Sequence, residues 1–143
     1  IALTITGDYT LNANDLLTLA GTVSLNAPKL TGDVAAAGNA VIKDTNIGGY
    51  LYLNASDSAL TFQGDNKVNG FSASYYNNVI TIGAGAYLEI TGSQRLTIGW
   101  GNTFNITGTI EDAKAAAKAK LALEADDKIL AVTATTLEII DAE

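Results

Sequence analysis

Residues 80–92 read ITIGAGAYLEITG, and residues 96–108 read LTIGWGNTFNITG. At a spacing of 16, Thr81 matches Thr97, Ile82 matches Ile98 and Gly83 matches Gly99. Gly85 matches Gly101, Leu88 matches Phe104, and Ile90-Thr91-Gly92 matches Ile106-Thr107-Gly108. Each copy is two short apolar strands around a Gly-X-Gly turn. Repetition at a short period in a strand-rich chain is the mark of a solenoid. The alignment predicts parallel coils with Ile82 stacked on Ile98 and Leu88 on Phe104.

The first half carries a second set of repeats. Leu-Asn-Ala begins at Leu11, Leu25 and Leu53, spaced by 14 and then by twice 14, and Thr6-Gly7-Asp8 returns as Thr31-Gly32-Asp33. Between these turns run short alternating strands: Leu3/Ile5, Leu17/Leu19, Val23/Leu25, Leu51/Leu53 and Leu60/Phe62. Alternation over four to six residues, broken by Gly, Asn and Asp, is the half-buried strand pattern. One such coil cannot bury its inward face alone, so neighbouring coils bury it for each other. Gly and Asn suit the corners because they tolerate positive φ, and Asn at equivalent corners can bond the next coil as a ladder.

After Gly108 the composition shifts. Thr109 precedes Ile110-Glu111-Asp112, and residues 113–125 are rich in Ala, Lys and Leu, good helix formers. Thr109 as cap, acids early and lysines later predict a helix. Strand character returns at residues 129–140. The expected fold is therefore all-β, a right-handed parallel β-solenoid (β-helix or β-roll) with one short α-helix in the C-terminal region. Residues 1–108 form the solenoid, 109–127 a helix on its side or end, and 128–143 the start of a further β unit.

Composition narrows the function. Eight basic residues stand against 15 acidic ones, a net charge of −7. Phosphate backbones bind through Lys and Arg displacing counterions, so nucleic acid is not an expected partner. Cys and His are both absent, which removes disulfides, thiolate metal sites, the commonest general base and the commonest transition-metal ligand. No apolar run approaches the length of a membrane helix, so the chain is not expected to be membrane-embedded. Most acids of the first 92 residues sit singly in turns, none forms an evident pair on one strand and no nucleophile motif is present, so the expectation is a non-enzyme.

Three corner aspartates, Asp8, Asp33 and Asp65, are candidate ligands for Ca²⁺ between subunits, against the alternative that each bonds its own backbone. The stretch Asp65-Asn66-Lys67-Val68-Asn69-Gly70 has the opening of a calcium-binding loop. Lys67, however, stands at a ligand place and Tyr76 where a bidentate Glu belongs, which favours a solvated turn. Tyr50, Tyr52 and Trp100 are candidate interface residues. Leu51 and Leu53 belong to the core, which turns both tyrosines outward, and Trp100 lies between two glycines.

The glycine-punctuated repeats, the acidic composition free of Cys and Met, and the run ITGTIEDAKAAAKAKLAL resemble bacterial S-layer and RTX-related adhesin repeats, most clearly over residues 79–135. In the RTX pattern an Asp two residues after the second Gly binds calcium; Tyr87 and Thr103 hold those places here. The resemblance implies secretion and an extracellular, cell-surface location. It also implies self-assembly, with copies of the same chain as partners in a lattice, filament or adhesin stalk. Two other readings stay open. One is a β-helix that binds or cleaves carbohydrate such as surface polysaccharide, with a groove lined by Tyr and paired carboxylates. The other is a segment of a phage or secretion-system spike, which the first half resembles.

Overall fold

Alternating aliphatic residues punctuated by Gly, Asn and Asp give sixteen strands and, among the described residues, no helix. The computed structural model describes residues 1–73, 75–91, 97–98, 102–106, 109–112, 122–123, 128–132 and 137–141. The strands are β1 Ala2–Thr4, β2 Asp8–Thr10, β3 Leu16–Asn26, β4 Lys29–Thr31, β5 Asp33–Lys43, β6 Asn46–Leu53, β7 Ala59–Gln63 and β8 Asp65–Ala73. There follow β9 Val79–Ile82, β10 Tyr87–Ile90, β11 Thr97–Ile98, β12 Thr103–Ile106, β13 Thr109–Asp112, β14 Ala122–Leu123, β15 Lys128–Val132 and β16 Leu137–Asp141.

The first fourteen strands pair only in parallel and build a β-solenoid. Each coil has three sides. In the first rank Leu3 lies beside Leu25, then Ile42, Phe62, Ile82 and Ile106, so successive coils are 22, 17, 20, 20 and 24 residues apart. In the second rank Tyr9 is followed by Leu30, Ile47, Val68 and Ile90. In the third, Leu17 is followed by Val34, Leu51 and Phe71. Strands β3, β5, β6 and β8 bend round a corner and serve two ranks each, which joins the ranks into one 14-stranded sheet. The buried members of these columns fill the interior, where Phe62 and Phe71 meet edge to face with centroids 6.3 Å apart.

Corners are held by buried polar ladders. Where the first rank turns into the second, the Ala27 N–H donates to Thr45 Oγ1 (3.0 Å) and the Thr45 N–H to Asn66 Oδ1 (3.0 Å). Asn66 Nδ2 donates onward to the Gln63 carbonyl (2.9 Å). Where the third rank turns into the first, Gly38 N–H donates to Ser58 Oγ, Ser58 N–H to Asn78 Oδ1, and Asn78 N–H to Asn102 Oδ1. The expected asparagine ladder is thus present at this corner. Each rung satisfies a backbone N–H that the turn takes out of the sheet.

The coil repeat differs from the sequence spacing. Ile80 pairs with Phe104 and Ile82 with Ile106, while Leu88 pairs with Ile110; Ile98 instead lies beside Ala73 and Leu123. Residues 80–82 and 87–90 lie on the first and second ranks, whereas 97–98 and 103–106 lie on the third and first. The 16-residue similarity therefore compares neighbouring sides of the coil, not stacked coils. Leu11-Asn12-Ala13, Leu25-Asn26-Ala27 and Leu53-Asn54-Ala55 likewise fall at three different corners.

Other expectations also change. The stretch opening at Asp65 is strand β8, with Asn66 buried, rather than a calcium loop or a solvated turn. Of the segment expected to be helical, 109–112 is strand β13 against β10, and 122–123 is strand β14 against β11. Its remaining residues lie outside the described ones. Strands β15 and β16 form a separate antiparallel pair.

Candidate functional site

Outward-facing side chains of the second rank form a charged row. The register runs Asp8, Lys29, Asn46, Lys67 and Glu89. Lys29 Nζ lies 3.9 Å from Asp8 Oδ2, and Lys67 Nζ 3.7 Å from Glu89 Oε2. Pairs this exposed contribute at most about 1 kcal/mol each and set register more than stability.

Beside this row, the corner between the first and second ranks opens into a cleft of about 670 Å³, lined by Pro28, Asp44, Asn46, Asp65, Lys67 and Tyr87 among others. Asp44 takes positive φ (45°), and its Oδ1 accepts the Asp65 N–H at 2.9 Å. The space for that carboxylate exists because residue 64 is glycine; a Cβ there would collide with it.

A second, smaller groove of about 410 Å³ lies where the second rank turns into the third. It is lined by the turn from Leu11 to Leu16, by Thr31 to Asp33, and by Tyr52. Its geometry begins with a bulge. Ile47 pairs with Val68 but Tyr50 pairs with Gly70, so β6 carries one residue more than β8. Gly48-Gly49 supply the bulge, and a Cβ on Gly49 would strike the Asp33 carboxylate and the Gly32 carbonyl. Asp33 Oδ1 thereby reaches the Tyr50 N–H at 2.8 Å. Tyr50 and Tyr52 face outward, half-buried, with ring centroids 5.3 Å apart and planes at 22°. The Tyr50 ring lies over Gly70, where a Cβ would come within 2.8 Å of the ring atoms. Ala35, beside Tyr52 in the register and also on the outer face, is only 2% exposed. Both phenols titrate above the usual tyrosine range, chiefly because burial disfavours the phenolate, with the Asp33 charge adding to it.

The corner aspartates are not brought together. Asp8 pairs with Lys29, Asp33 sits in the groove, and Asp65 sits in the larger cleft. Among the described residues no group of three carboxylates is placed to hold a metal ion. Tyr50 and Tyr52 do form one patch; Trp100 lies outside the described residues. Sequence reasoning passed over Asn12, Asn14, Asp15 and Leu16, which reach the groove only through the stacking of coils. The cluster Asn12-Ala13-Asn14-Asp15 was the local signal of a tight turn there, in which Asn14 takes positive φ (70°). Among the described residues no helix is long and apolar enough to cross a membrane. Compared with family models, curated protein sequences and solved structures, the chain matches none.

Proposed function

We propose that the chain is a structural segment of a secreted, self-assembling bacterial cell-surface protein, a lattice, filament or adhesin stalk in which coils stack end on end. The observation that carries this reading is the contrast along the second rank. Leu30, Ile47 and Val68 are at most 1% exposed, yet Tyr9, at the same place in the first coil, is 51% exposed. A further coil laid on this side, from the same polypeptide or from a second copy, would bury it and pair the open edges of β1 and β2. Stability in such a stack is additive from coil to coil, which suits a rod or stalk.

Sedimentation of the purified chain over a micromolar concentration series tests the proposal. Concentration-dependent assembly is expected, strengthened by salt or calcium, which screen the net charge of −7. Tyr9→Asp places a charge on the open face and is expected to abolish assembly. A strict monomer with and without calcium, or assembly indifferent to Tyr9→Asp, would overturn it.

A further inference from the structure

We propose that the groove between the 11–16 turn and Tyr52 binds a neutral saccharide chain. A pyranose ring has an apolar C–H face and a rim of hydroxyls, and it is recognised by a flat aromatic or aliphatic surface bordered by planar hydrogen-bonding groups. The groove offers both. Tyr52 and the exposed Leu16 supply the apolar floor, and Asn12, Asp15, Thr31 and Asp33 the polar border. Its volume of about 410 Å³ lies within the usual range for small-ligand sites, about 300–1,000 Å³.

The polar border is held in place. Asp33 Oδ1 is fixed by the Tyr50 N–H, and among the described residues no other hydrogen bond reaches that carboxylate, which leaves acceptor capacity toward the groove. Tyr52 is braced by the ring of Tyr50 on its strand. A site whose aromatic and carboxylate are set before the ligand arrives loses less entropy on binding.

Charge selects the class of ligand. No Lys or Arg lines the groove, whereas Asp15 and Asp33 do. Uronic acids, sulfated sugars and phosphates would meet repulsion and no counter-charge. A cationic peptide would satisfy the two carboxylates but not the amide and hydroxyl border. A neutral, hydroxyl-rich ligand uses every group present. Sugar binding and end-on stacking are read by different measurements, so either can fail without the other.

Calorimetric titration with cello-, xylo-, chito- and malto-oligosaccharides, with oligolysine as the cationic control, tests the assignment. Saturable binding of at least one neutral oligosaccharide is expected, with backbone NMR shifts centred on Asn12, Asp15, Asp33 and Tyr52. Tyr52→Ala is expected to weaken it by about tenfold, the loss of one aromatic contact, while Tyr52→Phe retains it. Asp33→Asn, which preserves shape, is expected to weaken it several-fold, and Tyr87→Ala in the larger cleft to leave it unchanged. Should Tyr52→Ala fail to fold, Asp33→Asn and the shift map on the unaltered chain decide the matter. Absence of saturable binding to all four sugars, binding of oligolysine alone, or shifts confined to the larger cleft would overturn the proposal.

Discussion

At single residues, buried polar side chains decide more than the exposed ion pairs do. Asn66, fully buried, accepts the Thr45 N–H and donates to the Gln63 carbonyl, which also accepts the Asp44 N–H, so Asn66→Ala leaves the interior Thr45 N–H without its partner and removes the Nδ2 bond as well. Asn78 holds the matching place at another corner, but among the described residues its Nδ2 has no partner, so Asn78→Ala orphans one group and removes an unsatisfied donor. We expect Asn66→Ala to cost about 2–4 kcal/mol and Asn78→Ala about half of that, as read from urea melts. Equal losses would mean that the ladders do not work as drawn. Tyr50 and Tyr52 yield a pH prediction. Their folded pKa values lie above the unfolded value of about 10, so the folded chain keeps protons that the unfolded chain releases. Their stabilising contribution is complete below about pH 10 and falls away as pH rises through the folded values. Tyrosinate absorbance of the folded chain should show a phase trailing that of the urea-unfolded chain, and a single phase common to both would contradict the assignment.

Strand by strand, the inward and outward sides were legible in the sequence, but the coil was not. Alternation at Leu51/Leu53 and Leu60/Phe62 marks all four as core, and all four are fully buried. The same alternation with the same Gly and Asn turns serves every side of the coil, because each inward position needs an aliphatic group and each corner a residue tolerant of positive φ. A repeat of one side is therefore indistinguishable, by local pattern, from a repeat of a whole coil. The third side lengthens the true spacing from 16 to 17–25 residues. The groove was less legible still. Tyr50 and Tyr52 were visible as an outward pair, but Asp33 and Leu16 reach them across adjacent coils, and nothing local sets that register. Strand β9 tests the assignment of sides directly. Ile82 is fully buried and Thr81 beside it is half-exposed on the outer face. Ile82→Ala is expected to cost about 2–5 kcal/mol in denaturant melts, and Thr81→Ala under about 1 kcal/mol. Comparable losses at the two positions would contradict the inward and outward sides of β9.

The whole molecule behaves as a stack, so its stability should be graded along the axis. An interior coil is covered on both sides, whereas the first coil is covered on one. Leu3, Ile5 and Leu11 there are only partly buried, while Ile42, Leu51 and Phe62 are fully buried. Solenoids open from such places by local unfolding that leaves the middle coils intact. Amide hydrogen exchange of the dilute chain is accordingly expected to be fastest in β1 and β2 and slowest in the middle of β5, in β7 and in β8. The same measurement at assembling concentration separates two modes of association that sedimentation cannot. Growth at the first coil would cover its open edge, and the exchange of β1 and β2 should slow toward that of the interior strands, while β7 and β8 change little because they are already protected. Association through a side of the coil would leave the edge of β1 and β2 in water at every concentration. Protection that rises with assembly in the first coil is therefore the expected result, and fast exchange persisting there in fully assembled material would defeat end-on stacking.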